Sequence, residues 1–273
     1  MRRWHLHTVT LLLLTLALAA CPARTRLTEI EPEPPLRVGI TPTTPPMIFK
    51  QGEEIVGVEA DFARALARGL GRTLRFVEIP WEGQVTALLD RRTDIIMSGM
   101  TITVGRRVRI AFSEPYLSSG LLAMTHRRNK KKFNTVKKIL DTSDDVGVRR
   151  GTTSEQFVED MMRDARPITY LSHKDAMLDL RRSRIEIFID DAPMIAWLVS
   201  ENEAEFAVHR ESLKREPLGW GMRQSDTMLR GAVDEMLALW KRDGTVEQII
   251  RRWMPFYPGL QENRQGEDSY SGG

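Results

Sequence analysis

The sequence predicts an α/β fold of two lobes, and three observations carry that expectation. The chain has 273 residues, more than a single hydrophobic core usually serves. From Leu36 onward, short apolar runs alternate with helical patterns as βαβαβ. After an interruption the same alternation starts again near Asp145. Each series calls for a mostly parallel sheet covered by helices, so two series in one chain mean two sheets.

Taken in order, LRVGI (36–40) reads as a strand. EADFARALARGL (59–70) reads as a helix because Phe62, Leu66 and Leu70 recur at i, i+4, i+8 on one face. The strand TLRFVEI (73–79), the helix QVTALLDRR (84–92) and the strand DIIMSG (94–99) complete the first series. Two extended segments follow, AFSEPYLSSG and LLAMTH. The second series runs DVGVRRG (145–151) as strand, TSEQFVEDMMRD (153–164) as helix, ITYLSH as strand, KDAMLDLRRS as helix, IEIFID (185–190) as strand and APMIAWLVSEN as helix. Strands EFAVHR (205–210) and LGWGMR (218–223) lead to a helical region from Met228 to Met254. Gly244 can end its first helix and Thr245 can cap the next. Beyond Pro258 the polar run QENRQGEDSYSGG has nothing to bury, so 259–273 is expected to be disordered.

The N-terminus carries a targeting signal. Arg2 and Arg3 precede an apolar run, Val9 to Ala20, too short to span a bilayer but suited to a secretion signal. Leu18-Ala19-Ala20-Cys21 resembles the lipobox of bacterial lipoproteins, in which the cysteine becomes the lipidated first residue. Residues 1–20 are then a signal peptide, and 21–35, rich in proline and charge, a flexible tether. The implied location is the periplasm or cell surface, anchored to the membrane through Cys21. Cys21 is the only cysteine, so no intrachain disulfide can form.

Charge excludes one broad class. The chain carries 40 Lys+Arg against 37 Asp+Glu; without Arg2 and Arg3 the balance is 38 to 37. A nucleic-acid binder needs a coherent basic surface, and this balance argues against one. The basic run HRRNKKKFNTVKK (126–138) could dock on a membrane or an acidic partner, but reads better as a solvated loop and helix face. The five histidines suggest no Ser-His-Asp or Cys-His set and no metal-ligand spacing. No catalytic residue, metal or cofactor is expected.

The stretch DIIMSGMTITVGRR (94–107) leaves a buried strand and at once presents Ser98, Gly99, Thr101, Thr103 and Arg106. Small hydroxyl and glycine positions ahead of an arginine suit a grip on a small anion. Arg106 offers a bidentate fork, Thr101 a hydroxyl and an N–H, and Gly99 close backbone approach. Gly151-Thr152-Thr153 ends a strand and opens a helix, where N–H groups favour an anion; for Thr152, capping and ligand contact stand equal. Asp190-Asp191-Ala192-Pro193 puts acids at a strand end, fit for an ammonium group or for capping the next helix.

These motifs occur together in a known order. SGMTIT with Arg106, FSEPYLSSG (112–120), VGVRRGTTSEQF (146–157), the aspartate before Ala192-Pro193, KRDGTVEQIIRRW (241–253) and the early VGITPTTPPMIF resemble those of the bacterial extracellular solute-binding proteins, family 3. That family serves amino-acid ABC importers, and the likeness spans about Leu36 to Pro255. It implies a periplasmic-binding-protein-like fold of type II: two α/β lobes joined by a two-strand hinge with a ligand cleft between them. Crossings would fall near Pro115 to Gly120 and Glu216 to Gly219, making lobe one 36–117 plus 218–258 and lobe two 118–217. Ligand binding would favour the closed clamp.

By the family's register the second-lobe carboxylate contact falls on Thr153 and the ammonium contact on Asp191 rather than Asp190. Trp81 stands where a residue often meets the ligand side chain, although a tryptophan is as often a core or rim residue. Thr44 replaces a frequent stacking aromatic. Thr41 stands where binders of basic amino acids tend to carry an acid, so a polar or small amino acid is the expected ligand. Val58-Glu59 replaces a usual Phe-Asp pair and reads as packing. The implied partners are a free amino acid and an ABC permease, with the chain a monomer. An alternative is a cyclohexadienyl or arogenate dehydratase on the same fold, which needs a cleft acid. Met194 stands at the helix turn facing the cleft, leaving Glu155 as the candidate acid. A sensory binding protein ranks third, since it would call for a transmembrane helix and a signalling domain after about residue 260.

Overall fold

The computed structural model describes residues 34–255. The signal segment, Cys21, the tether up to Glu33 and the tail from Phe256 lie outside the described residues.

The first lobe opens with β1 (Leu36–Ile40), followed by a small antiparallel sheet of β2 (Thr43–Thr44), β3 (Ile48–Gln51) and β4 (Glu54–Val56). The sequence pattern did not reveal this sheet: its strands are short and set among Pro42, Pro45 and Pro46, so no alternation accumulates. Then come α1 (Val58–Gly69), β5 (Leu74–Glu78), α2 (Gln84–Leu89), β6 (Ile95–Ile96), α3 (Val104–Arg109) and β7 (Ala111–Phe112). The strand expected over 94–99 is thus shorter, because Gly99 turns the chain at φ 68°, a conformation that favours glycine.

The long strand β8 (Leu117–His126) enters the second lobe, which holds α4 (Val136–Leu140), β9 (Asp145–Arg149), α5 (Thr153–Met161), β10 (Arg166–Tyr170), α6 (His173–Arg181), β11 (Ile187–Asp191) and α7 (Ala192–Ser200). The chain returns along β12 (Phe206–Leu218) to β13 (Gly221–Met222), α8 (Thr227–Asp243) and α9 (Thr245–Trp253). The strand expected at 205–210 is the start of one thirteen-residue strand, and that expected over 218–223 shrinks to β13. Antiparallel pairing with β8, from Phe206↔His126 to Leu218↔Leu117, keeps β12 extended.

The two main sheets share a plan. The first has the order β5-β1-β6-β13-β7, the second β10-β9-β11-β8-β12. In each, three strands pair in parallel and the last two antiparallel. Apolar clusters cover both faces of each sheet, as parallel strands require. The first sheet packs α1, α8 and α9 through Phe62, Leu66, Leu237 and Ile250 on one side, and Leu88, Ile96, Ile110 and Phe112 lie on the other. In the second, Met177, Phe188, Ile195 and Phe206 fill one face and Val148, Phe157, Val158 and Ile189 the other. Strands β8 and β12, paired at Leu117↔Leu218 and Ser118↔Pro217, are the two crossings between lobes. A cleft therefore opens where the strand ends of both sheets face each other, the place where open α/β sheets bind ligands.

Candidate functional site

Thr44, Trp81, Ser98, Gly99, Thr101, Arg106, Thr152, Thr153 and Asp191 all line one cavity between the lobes, joined by Arg149. The nine residues singled out in the sequence thus converge. The cavity is narrow, with about 10 Å³ open to a water-sized body, room for roughly one water, so admitting an amino acid requires the lobes to part.

The first-lobe wall is one continuous turn. At its base Ser98 Oγ accepts from the Thr41 N–H at 2.9 Å. Thr41 donates its hydroxyl to the Ile79 carbonyl and accepts from Gln84, so it is spent inside the lobe. Gly99 N–H donates to Glu59 Oε1 at 2.6 Å. The same buried carboxyl accepts from the Tyr116 hydroxyl and from Trp220 Nε1, both at 2.8 Å. Glu59, expected as packing, is instead the polar support behind the glycine turn. Burial pushes its carboxyl up to about 7, against the pull of these three donors.

Arg106 sits on α3, whose N-cap Thr103 accepts from the Arg106 N–H. Its Nη1 donates to the Thr101 carbonyl at 2.8 Å, which leaves the Nε–Nη2 edge without a partner among the described residues. Its neighbours Arg107 and Arg109 are exposed on the surface. Burial pulls the Arg106 guanidinium below its ordinary value, while Asp191 and Glu216 favour its charge.

The second-lobe wall comes from three elements. Arg149 ends β9; the helix α5 starts just beyond; Asp191 ends β11. Thr152 precedes α5 but its side chain caps nothing: the hydroxyl donates back to the Arg149 carbonyl at 2.7 Å and touches Ser154 Oγ. Thr153 and Thr101, one from each lobe, donate to the same oxygen of Glu216, at 2.6 and 3.0 Å. Glu216, on the crossing strand β12, also forms an ion pair with Lys214 at 3.1 Å.

The two adjacent aspartates differ. Asp190 is 2% exposed, with one oxygen 2.7 Å from His173 Nε2 and the other accepting from the Asp191 N–H. Asp191 makes no cap bond to α7, and its carboxyl faces the cavity with no hydrogen-bond partner among the described residues. Burial, then the charges of Asp190 and Glu216, push it well above the usual carboxylate range, with Arg149 and Arg106 countering.

Trp81 joins the walls. From the first lobe its Nε1–H donates to the Gly151 carbonyl at 2.9 Å, and its ring lies 5.3 Å from the Arg106 guanidinium and 5.9 Å from that of Arg149. Arg149 itself is the residue the sequence reading missed. Alternation along β9 carried the available signal: Arg150 points to solvent, whereas Arg149 is buried at the strand's cleft end.

Glu155, the candidate acid of the dehydratase alternative, accepts from the Gly151 N–H at 2.7 Å and so braces the turn. Met194 is buried in the second-lobe core.

The family described as bacterial extracellular solute-binding proteins, family 3, matches residues 36–256. Among curated relatives, the L-cystine-binding protein TcyJ of Escherichia coli strain K12 is 30% identical over 229 residues, covering 83% of this chain and 85% of its own. Among solved structures, the ancestral amino-acid-binding protein AncCDT-1, a precursor of cyclohexadienyl dehydratase, matches at 32% identity and TM-score 0.74, covering 80% of this chain and 94% of its own. An ancestral arginine-binding protein bound to arginine matches at 28% identity and TM-score 0.74, over 80% and 97% of the respective chains.

Proposed function

Since the chain belongs to the bacterial extracellular solute-binding proteins, family 3, we propose that it captures a free amino acid in the interlobe cleft and delivers it to the permease of an ABC importer. The mature chain is a monomer tethered to the membrane through a lipid on Cys21, at the periplasmic or outer surface. One observation carries the ligand class. A guanidinium edge on Arg106 and a carboxyl on Asp191, both without hydrogen-bond partners among the described residues, face one narrow cavity. An amino-acid zwitterion complements that pair, since its carboxylate matches the arginine fork and its ammonium the acid. Ser98, Gly99, Thr101, Thr152 and Thr153 surround the carboxylate end, with Trp81 and Thr44 toward the ligand's side chain.

The ligand is polar or small rather than basic, because Thr41 offers no acid and its hydroxyl is committed to Ile79. Relatives named for cystine and arginine indicate how widely ligands vary on this frame. The enzyme reading is not favoured, as Glu155 is tied to the Gly151 backbone.

The test is a thermal-shift screen of the full chain, stripped of bound ligand, against the common amino acids, cystine, prephenate and arogenate. A ligand at about a hundred times its dissociation constant adds about 2.7 kcal/mol, and a rise in Tm with one or a few amino acids is expected. Arg106→Ala should abolish that rise while keeping the unliganded Tm; a retained rise would put the carboxylate elsewhere. A shift and turnover with prephenate or arogenate alone would replace transport by catalysis.

A further inference from the structure

The cavity holds two arginines where one zwitterion needs only one. Arg149 is 7% exposed and is absent from the ion pairs of the described residues. Its Nη1 lies 3.1 Å from Thr44 Oγ1, to which it donates, and 3.2 Å from His173 Nε2. Nε and Nη2 have no partner among the described residues. Asp190 lies beyond the His173 ring, but its two oxygens are engaged by His173 and by the Asp191 N–H. Trp81 covers the guanidinium at 5.9 Å, and Asp191 is the other charged group on this wall.

Arg149 therefore repeats the arrangement of Arg106. In both, Nη1 is held by the protein and the Nε–Nη2 edge is left open, and that edge presents two parallel N–H donors to a carboxylate. The two side chains come from opposite lobes and flank one indole ring. A guanidinium has donors only, so whatever meets Arg149 must accept hydrogen bonds, and a cationic side chain there would meet like charge.

We infer that Arg149 is a specificity-determining residue for an amino acid whose side chain carries a carboxylate, so that Arg106 takes the α-carboxylate and Arg149 the side-chain one. The inference rests on the amino-acid-binding reading above and narrows its polar class to acidic amino acids. It places the discriminating contact on the second lobe, so the side chain is tested as the clamp closes.

Isothermal titration of the full chain, stripped of ligand, with L-aspartate, L-glutamate, L-asparagine, L-glutamine, L-arginine, L-lysine and L-cystine tests it. One of the two acids should bind at least about tenfold tighter than its own amide, since removing one partner of a buried charged pair is costly. In Arg149→Met the acid-to-amide affinity ratio should fall to about one, a loss of about tenfold or more, with Arg149→Lys recovering part of it. A merely structural role would weaken acid and amide alike and leave the ratio unmoved, which overturns the inference. An amide, a basic amino acid or cystine binding tighter than both acids in the unaltered chain also overturns it, even if no variant folds, while leaving amino-acid capture intact. Silence from all seven ligands overturns the inference, and the thermal-shift screen against the remaining amino acids then decides whether amino-acid capture itself stands.

Discussion

The two walls of the cleft are built differently. The first-lobe wall runs through one short stretch, Ser98 to Arg106, braced from behind by Glu59 and by backbone bonds. The second-lobe wall gathers Arg149, Thr153 and Asp191 from the ends of different elements, and its charges lean on one another through His173, Asp190 and Glu216. The first wall is a local structure whose donors are fixed by the turn. The second is a tertiary structure, whose chemistry changes whenever one member does. On the proposed reading, the first wall grips the α-carboxylate through Arg106, while the second holds the ammonium through Asp191 and, through Arg149, decides which side chain is kept.

The adjacent aspartates give the sharpest test of that contrast. The Asp191 carboxyl has no hydrogen-bond partner among the described residues, so Asp191→Asn removes an acid that faces the ligand and little else. Its expected cost is about thirtyfold or more in affinity, as for one partner of a buried charged contact. Asp190→Asn disturbs His173 and the start of α7, so it should lower Tm more and affinity less. Titration calorimetry and melting curves on both variants decide the matter. The reverse ranking of affinities would move the ammonium contact to Asp190.

The first wall can be probed through pH. Glu59 is held near 7 in the folded chain, above the 4.5 of an ordinary glutamate. The folded state thus keeps a proton that the unfolded chain releases. The stability it contributes is whole below about pH 4.5 and is lost as pH rises through 7. About 2.5 units correspond to about 3 kcal/mol. Urea unfolding at pH 5 and pH 8 should show this fall, and Glu59→Gln should flatten it, leaving the slopes from Asp191 and His173. An unchanged slope in the variant would mean that Glu59 titrates normally and that the turn is held by its backbone alone.

Legibility in the sequence follows the same division. Strand and helix periods showed both α/β series, since long elements average over many residues. The first wall was readable because its residues are consecutive, whereas the strand end before Ala192-Pro193 offered Asp190 and Asp191 alike and only the family's register separated them. Arg149 was not, because one of two adjacent arginines is chosen only by which way the last residue of β9 points. Glu59 was hidden for a related reason. A glutamate in a first helical turn ordinarily serves the dipole, and its partners Tyr116 and Trp220 are 57 and 161 residues away. The small sheet β2–β4 left no periodic signal, yet it brings Thr44 to Arg149 and Phe49 to the second lobe.

That last contact predicts the smallest effect, and it concerns the joining of the walls rather than either one. Phe49 on β3 meets two tryptophans at 5.8 Å, Trp197 of α7 in the second lobe and Trp253 of α9 in its own. Only the first contact is broken when the lobes part. An aromatic pair contributes about 0.5–1.5 kcal/mol beyond its buried area, and apparent affinity scales with the fraction of chain that is closed. Trp197→Leu should therefore weaken ligand binding about two- to tenfold with a modest change in Tm. Trp253, which also donates to Asp61 at 2.8 Å, braces the first lobe alone, so Trp253→Leu should lower Tm with less effect on affinity. If both variants bind alike, the ring contact between the lobes adds nothing to closure, and Trp81 with its bond to Gly151 is the contact that holds the clamp shut.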